Sequence, residues 1–160
     1  GCGGTGRSRQ SVTPHFSLAE LTRTDHRSLD NTPDAAALAN LTRLAAFLEQ
    51  VREVLGGRVV VINSAYRSAA VNAACGSRER SQHTLGCAAD VRVPGMTPDA
   101  VVKAVMASGL AYDQLIREFD SWTHISIPNL ATAAPRKMAL IIDKQGTRLF
   151  PADPTGLAPG

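Results

Sequence analysis

Apolar residues recur at three- and four-residue intervals through Leu38, Leu41, Ala45, Leu48, Val51 and Leu55, the spacing of one buried helix face. Thr32-Pro33 supplies an N-cap and a first-turn proline ahead of this run, and Gly56-Gly57 ends it, so the pattern predicts its longest helix here. Upstream, Ser17 and Glu20 form a capping box for a short helix running to about Thr24. The β-branched run from Arg58 to Ser64 is too short for a buried helix and reads as a central strand. Ser68 caps a brief helix reaching Cys75, and the polar stretch 76–81 is loop. A second strand is expected from Cys87 to Val93, placing His83 in a loop just ahead of it. Thr97-Pro98-Asp99 opens a helix that closes at Gly109. Asp113 to Glu118 and Trp122 to Ile127 form strands joined by a hairpin-sized connection. Lys137 to Asp143 and Thr147 to Phe150, turned at Lys144-Gln145-Gly146, form a last hairpin. With helices early and strands clustered late, the expected class is α+β, a largely antiparallel sheet flanked by helices. Residues 1–14 read as a flexible segment, 15–150 as one domain and 151–160 as a flexible tail.

Composition narrows this only a little. At 160 residues, 44% hydrophobic and 19% charged, the chain suits one soluble globular domain. No run approaches the ~20 apolar residues of a membrane-spanning helix. The sequence also opens without a basic, apolar and small-residue leader, so a secretion signal is expected to have been removed or never to have existed. Gly1-Cys2-Gly3-Gly4 reads as a flexible linker or a remnant of cloning before it reads as a lipoprotein processing site. The net charge is +3, but the arginines are scattered and aromatics make up 4% of residues, which argues against a nucleic-acid partner. Cys2, Cys75 and Cys87 fit no CxxC metal pattern.

Histidine is scarce, at four residues, so the position of each is informative. His15 and His26 sit among ordinary surface residues and read as solvated. Asp90 lies inside an apolar strand, between Ala89 and Val91, where a carboxylate is costly unless something positive pairs with it. His124 interrupts another strand. Together with His83 these residues could supply the three protein ligands of a catalytic zinc, leaving the fourth position to water. Taken singly, each reads first as a satisfied structural residue, and spacing alone does not prove coordination.

The residues Ser64-Ala65-Tyr66-Arg67-Ser68, Asn72, Ser81-Gln82-His83-Thr84-Leu85-Gly86, Ala88-Ala89-Asp90 and Trp122-Thr123-His124-Ile125-Ser126 occur in this order. So do Phe16-Ser17-Leu18-Ala19-Glu20-Leu21 and Asp30-Asn31-Thr32-Pro33 nearer the start. In this combination the chain resembles the zinc D-alanyl-D-alanine peptidases of the M15 family, above all the short bacterial and phage forms. The likeness covers about residues 15–142. It implies that His83, Asp90 and His124 bind Zn2+ and that Arg67 faces the substrate, where a guanidinium fork would grip a carboxylate. Ser81 is either a substrate contact or a turn cap. Cys75 and Cys87 depart from the family pattern. Strand alternation turns Cys87 to the face opposite Asp90, and in an exported protein a Cys75–Cys87 disulfide, closing a loop of about a dozen residues, is expected, with Cys2 left free, whereas two independent buried thiols are the alternative, expected in a reducing cytoplasm. For the general base the hairpin favours Glu118 over Asp120 at its tip. The hedgehog branch of the likeness also carries a glutamate six residues before the last histidine, while other M15 members place it three before, where this chain has Ser121.

The resemblance implies a zinc metallopeptidase that hydrolyses a peptide bond of bacterial cell-wall peptidoglycan, as a D-Ala-D-Ala carboxypeptidase or a related murein endopeptidase. Peptidoglycan stem peptides are the expected partners of a monomeric enzyme in the cell envelope, periplasmic or secreted, or carried by a phage. The alternatives are a catalytically silent zinc domain, as in hedgehog, and a zinc-free module that binds wall fragments.

Overall fold

The computed structural model describes residues 10–77 and 81–151. Cys2, part of the loop expected at 76–81, and the tail from residue 152 lie outside the described residues. In chain order the described elements are β1 (Ser11–Thr13), β2 (Phe16–Ser17), α1 (Leu18–Leu21), α2 (Ala35–Val54), β3 (Val61–Ser64), α3 (Ala69–Ala74), α4 (Gln82–Leu85), β4 (Ala88–Arg92), α5 (Pro98–Ser108), β5 (Gln114–Glu118), β6 (Trp122–Ser126), β7 (Met138–Asp143) and β8 (Gly146–Leu149). Strands β3 to β8 form one six-stranded sheet in the order β3-β4-β6-β5-β7-β8. Every neighbouring pair is antiparallel except β5 with β7. The class is α+β, as the pattern of elements predicts.

Strand alternation divides the sheet's residues between two faces. Ile62, Ala89, Val91, Leu115, Ile125 and Ile141 join one apolar cluster with Leu41, Leu44, Leu48 and Val51 of α2 and Val101, Val102 and Val105 of α5. Each large side chain sealed there contributes about 1.5–3 kcal/mol relative to exposure. The residues between them, Asp90, Ile116, Glu118 and His124, belong to the other face. One side of the sheet thus makes the core and the other is left for polar groups.

The helix caps read from sequence are present at Ser17, Ser68 and Thr97, and Ser17 and Glu20 exchange both bonds of the capping box. Four details differ from expectation. Helix α1 stops at Leu21 rather than Thr24, because Thr22 leaves the helical range at φ −117 and ψ 10 while its N–H still bonds back to Leu18 O. Helix α2 is capped by Asp34, whose carboxylate accepts the Ala37 N–H at 2.8 Å, while the Thr32 hydroxyl donates to Asp30 instead. Strand β3 is an edge strand, not a central one. Its apolar run is explained by the core beneath Val60 and Ile62, whereas Val59 is 63% exposed. Finally, residues 11–13, assigned to the flexible segment, pair with Phe16 and Ser17 as β1, with Val12 packed against the core.

The expected disulfide is absent, since Cys75 and Cys87 are both free. Cys75 is exposed at the end of α3, whereas Cys87 is sealed in the core cluster with Arg43 Nη2 3.8 Å from its sulfur. As alternation predicts, Cys87 sits with the core and Asp90 does not.

Gly86 ends α4 in the left-handed conformation at φ +78, and a Cβ there would lie 2.7 Å from Ala37 O. Gly109 ends α5 at φ +74, with nothing within 4 Å of a Cβ. We therefore expect Gly109→Ala to cost about 1 kcal/mol for backbone strain alone, and Gly86→Ala to cost about 2–3 kcal/mol or more because α2 must also yield. Urea unfolding of the two variants checks the order. Equal losses would mean that α2 gives way freely.

Candidate metal centre

Asp90 of β4 stands directly opposite His124 of β6, so the two side chains share the sheet's polar face. His124 Nδ1 lies 2.9 Å from Asp90 Oδ1. The third member comes from α4, a single turn where the sequence suggested a loop. Ser81 caps it, its hydroxyl accepting the His83 N–H at 3.2 Å. Of the two roles open to Ser81, capping is the one seen. His83 Nδ1 sits 2.7 Å from Ala65 O. A carbonyl can only accept, so Nδ1 carries the proton and Nε2 keeps its lone pair.

That nitrogen lies 3.4 Å from Asp90 Oδ2. Two acceptors buried face to face repel each other unless a cation or proton lies between them. The donor atoms of His83, Asp90 and His124 all fall within 4.8 Å of one another, and all three residues are buried. Ligands ~2.1 Å from a tetrahedral zinc would stand ~3.4 Å apart, so two imidazoles and a carboxylate in this array fit that ion. The Ala65 carbonyl, by fixing the His83 tautomer, supplies the outer contact that metal-binding histidines usually have. The residues anticipated from the sequence as ligands are thus brought together by β4, β6 and α4.

Charge in the centre is balanced by contacts. Burial would raise Asp90, but the His124 and His83 imidazoles beside it, whenever they take up a second proton, outweigh that and hold the carboxyl well below the usual range. Burial pushes His83 below an ordinary imidazole, against the pull of Asp90. Arg67 does not point away into open solvent. Its side chain is 13% exposed, and Nη2 donates to Asp90 Oδ2 at 3.1 Å, Nε to Ser64 Oγ at 3.0 Å and Nη1 to Ser77 Oγ at 3.1 Å.

Glu118 ends β5 opposite Trp122, with its carboxylate 4.0 Å from His124 Nδ1 and its side chain 19% exposed. Burial, then the Asp90 charge, push its pKa up. The Trp122 indole is near enough to oppose that shift, yet Nε1 is buried without a hydrogen bond of ordinary geometry. Asp120 stands at the turn, 71% exposed and paired with Arg117 at 3.1 Å. His15 pairs with Glu49 at 2.6 Å, far from these groups in role.

Sequence reading missed the groups that fix α4. Gln82 Nε2 lies 3.1 Å from Asp113 Oδ2, 3.1 Å from Ile127 O and 2.7 Å from Asn129 Oδ1. Asp113, itself buried, accepts from Arg136 through the backbone N–H at 2.9 Å, Nε at 3.0 Å and Nη2 at 2.6 Å. The available signal was Gln82 beside His83 and an aspartate at the start of an apolar strand. Its partner Arg136, more than twenty residues further on, carried none.

Burial would raise Asp113, but these bonds hold it below the ordinary value. A depressed carboxyl stabilises the fold fully above the unfolded value near pH ~4, and that stability is lost as pH falls through it toward the folded value. We expect Asp113→Asn to lower the urea midpoint at neutral pH and to flatten its decline between about pH 5 and pH 3. An acid limb as steep as that of the unaltered protein would remove Asp113 from this account.

Comparison with known families finds one match, the Peptidase M15 family, over residues 14–126. Comparison with curated proteins finds none. The matched segment runs from just before β2 to the last residue of β6 and so contains His83, Asp90 and His124 with the strands and helix that carry them. Because it covers more than two thirds of the chain and every donor of the candidate centre, the protein belongs to the Peptidase M15 family.

Proposed function

We propose that the protein is a zinc metallopeptidase that hydrolyses a peptide bond in bacterial cell-wall peptidoglycan, as a D-Ala-D-Ala carboxypeptidase or a related murein endopeptidase. The observation that carries this reading is the three-donor set His83, Asp90 and His124 with a second, partly desolvated carboxylate, Glu118, at its margin. When bound, zinc supplies Lewis acidity toward a peptide carbonyl and lowers the pKa of water. Glu118 is the general base. It takes a proton as water adds to the carbonyl carbon and returns one to the amine as the C–N bond breaks, so no proton is gained or lost overall. Its raised pKa suits this exchange, since a carboxylate that holds a proton more readily can both accept and release it.

Arg67 has two duties in this scheme. Three of its N–H directions hold Ser64, Ser77 and Asp90, and the guanidinium's five N–H groups leave others to meet a substrate carboxylate. The Ser81 hydroxyl, which accepts from His83 N, still has its own proton to offer to substrate. Stem peptides of peptidoglycan are the proposed partners, and a monomer in the cell envelope, or carried by a phage, the proposed setting. No described helix is long and apolar enough to cross a membrane.

Digestion of purified peptidoglycan, with fragments identified by mass spectrometry, tests the proposal. Released D-alanine would mark carboxypeptidase action, and cut stem peptides or cross-links endopeptidase action. Unchanged peptidoglycan with zinc bound would favour the silent domain. His83→Ala should lose both zinc and hydrolysis. Glu118→Gln should keep zinc and fold while turnover falls by roughly two or more orders of magnitude. Asp120→Asn should stay active, and the reverse pattern would move the base to Asp120.

A further inference from the structure

The segment Asp30-Asn31-Thr32-Pro33 belongs to the family resemblance, yet none of its residues reaches the donor set. Asn31 instead brackets Arg67. Its Nδ2 donates to Tyr66 O at 3.1 Å and to Thr22 O at 2.9 Å, and its Oδ1 accepts the Ser68 N–H at 2.7 Å. One amide therefore holds the carbonyl before Arg67 and the N–H after it. The peptide N–H of Arg67 itself donates to His83 O at 3.1 Å. Backbone on both sides of the arginine is thus fixed by Asn31, and backbone at its own nitrogen by the residue that carries one of the donors.

We infer that Asn31 is a positioning residue of the metal centre, acting through Arg67: it sets the Tyr66-Arg67-Ser68 turn so that the guanidinium meets Asp90 Oδ2. The inference rests on the zinc reading above. Both of its N–H donors and its carbonyl are used, and the only other side chain with that planar amide, glutamine, is one methylene longer. Aspartate matches its shape but would set an oxygen against the Thr22 and Tyr66 carbonyls. Alanine would leave all three backbone groups without this partner. Either change lets the turn relax, and Arg67 with it, so the Asp90 carboxylate loses a contact that orients it toward the ion. Outer contacts of this kind are worth about 10- to 100-fold in metal affinity.

The experiment is a double-mutant cycle on the metal-stripped full chain, reading zinc affinity by competition with a chromogenic chelator and the thermal midpoint on the same samples. Asn31→Ala should weaken zinc binding about tenfold or more, and Arg67→Ala by a similar or larger factor. The double variant should lie within about twofold of Arg67→Ala, because the path from Asn31 to the ion would already be cut. Should Asn31→Ala not fold, Asn31→Asp carries the same cycle. Factors that multiply, or an Asn31 variant with full affinity and only a lowered midpoint, would overturn the inference and leave Asn31 a purely structural residue. An unaltered protein that takes up no zinc would instead overturn the metal centre, and this inference with it.

Discussion

The pairing of β4 with β6 is the constraint from which the rest follows. Asp90 opposite His124 and Ala89 opposite Ile125 are consecutive steps of one antiparallel ladder. Because side chains alternate, a slip of one residue would turn Asp90 into the apolar cluster and Val91 out of it. The core enforces the register: Ala89, Val91 and Ile125 are sealed against the helices, and exposing them while burying a carboxylate would be opposed by both hydrophobic and electrostatic terms. The same packing that stabilises the domain therefore aligns two of the three donors.

The third donor is brought by a short helix that is not itself stable, since a single turn fixes many dihedral angles for few hydrogen bonds. It persists because its ends and flanks are occupied. Ser81 caps its start, Gly86 closes it, Gln82 ties it toward Asp113 and Ile127, and Asn40 Nδ2 of α2 donates to Leu85 O at 2.8 Å. Polar groups around the centre form a continuous scaffold: Asn31 to the Arg67 turn, Arg67 to Asp90, His83 to the Ala65 carbonyl. Buried charge is tolerated here because almost every polar atom in the scaffold has a partner.

Much of this was legible in the sequence wherever one residue announces a local backbone state. Ser17 with Glu20, Ser68 and Thr97 with Pro98 are caps whose chemistry acts within three residues. The hairpin of β5 and β6 was likewise legible from length and turn residues. What failed depended on long-range partners. A β-branched run such as Val59-Val60-Val61-Ile62 reads the same whether strands lie on both sides or a helix layer lies beneath one face, so it reads as a central strand although β3 lies at the sheet's edge. Thr32-Pro33 resembles a helix start, but the Thr32 hydroxyl is drawn to Asp30 and Asp34 caps the helix two residues later through the Ala37 N–H. Asp90 and His124 stand out because a carboxylate and an imidazole in apolar strands are costly and demand a reason, while joining them with His83 as one ligand set rests on the family resemblance. Arg136 sits in a polar segment where it costs nothing and signals nothing, and Asn31 and Gln82, although inside the segments that carry the resemblance, have polar surroundings that do not tell what they hold.

The six-residue interval between Glu118 and His124 follows from the turn between them. Glu118 is registered against Trp122 and Ile116 against His124, so Glu118 and His124 are diagonal neighbours on one face, within reach of each other. The turn that permits this holds Phe119 and Asp120 at φ 52 and 51, the left-handed geometry of a tight hairpin. It costs a non-glycine residue about 1–3 kcal/mol. That cost is offset on both sides of the sheet: the Phe119 N–H donates to Ile142 O of β7, Ser121 N to Glu118 O, and Arg117 pairs with both Asp120 and Asp99 of α5. Ser121, three residues before His124, lies inside this turn with its hydroxyl bonded back to Phe119 O. A carboxylate at that position would leave from the turn rather than from the strand face beside His124. In a sheet with this hairpin the residue that can stand beside the donor set is the last of β5, and in this chain that residue is Glu118.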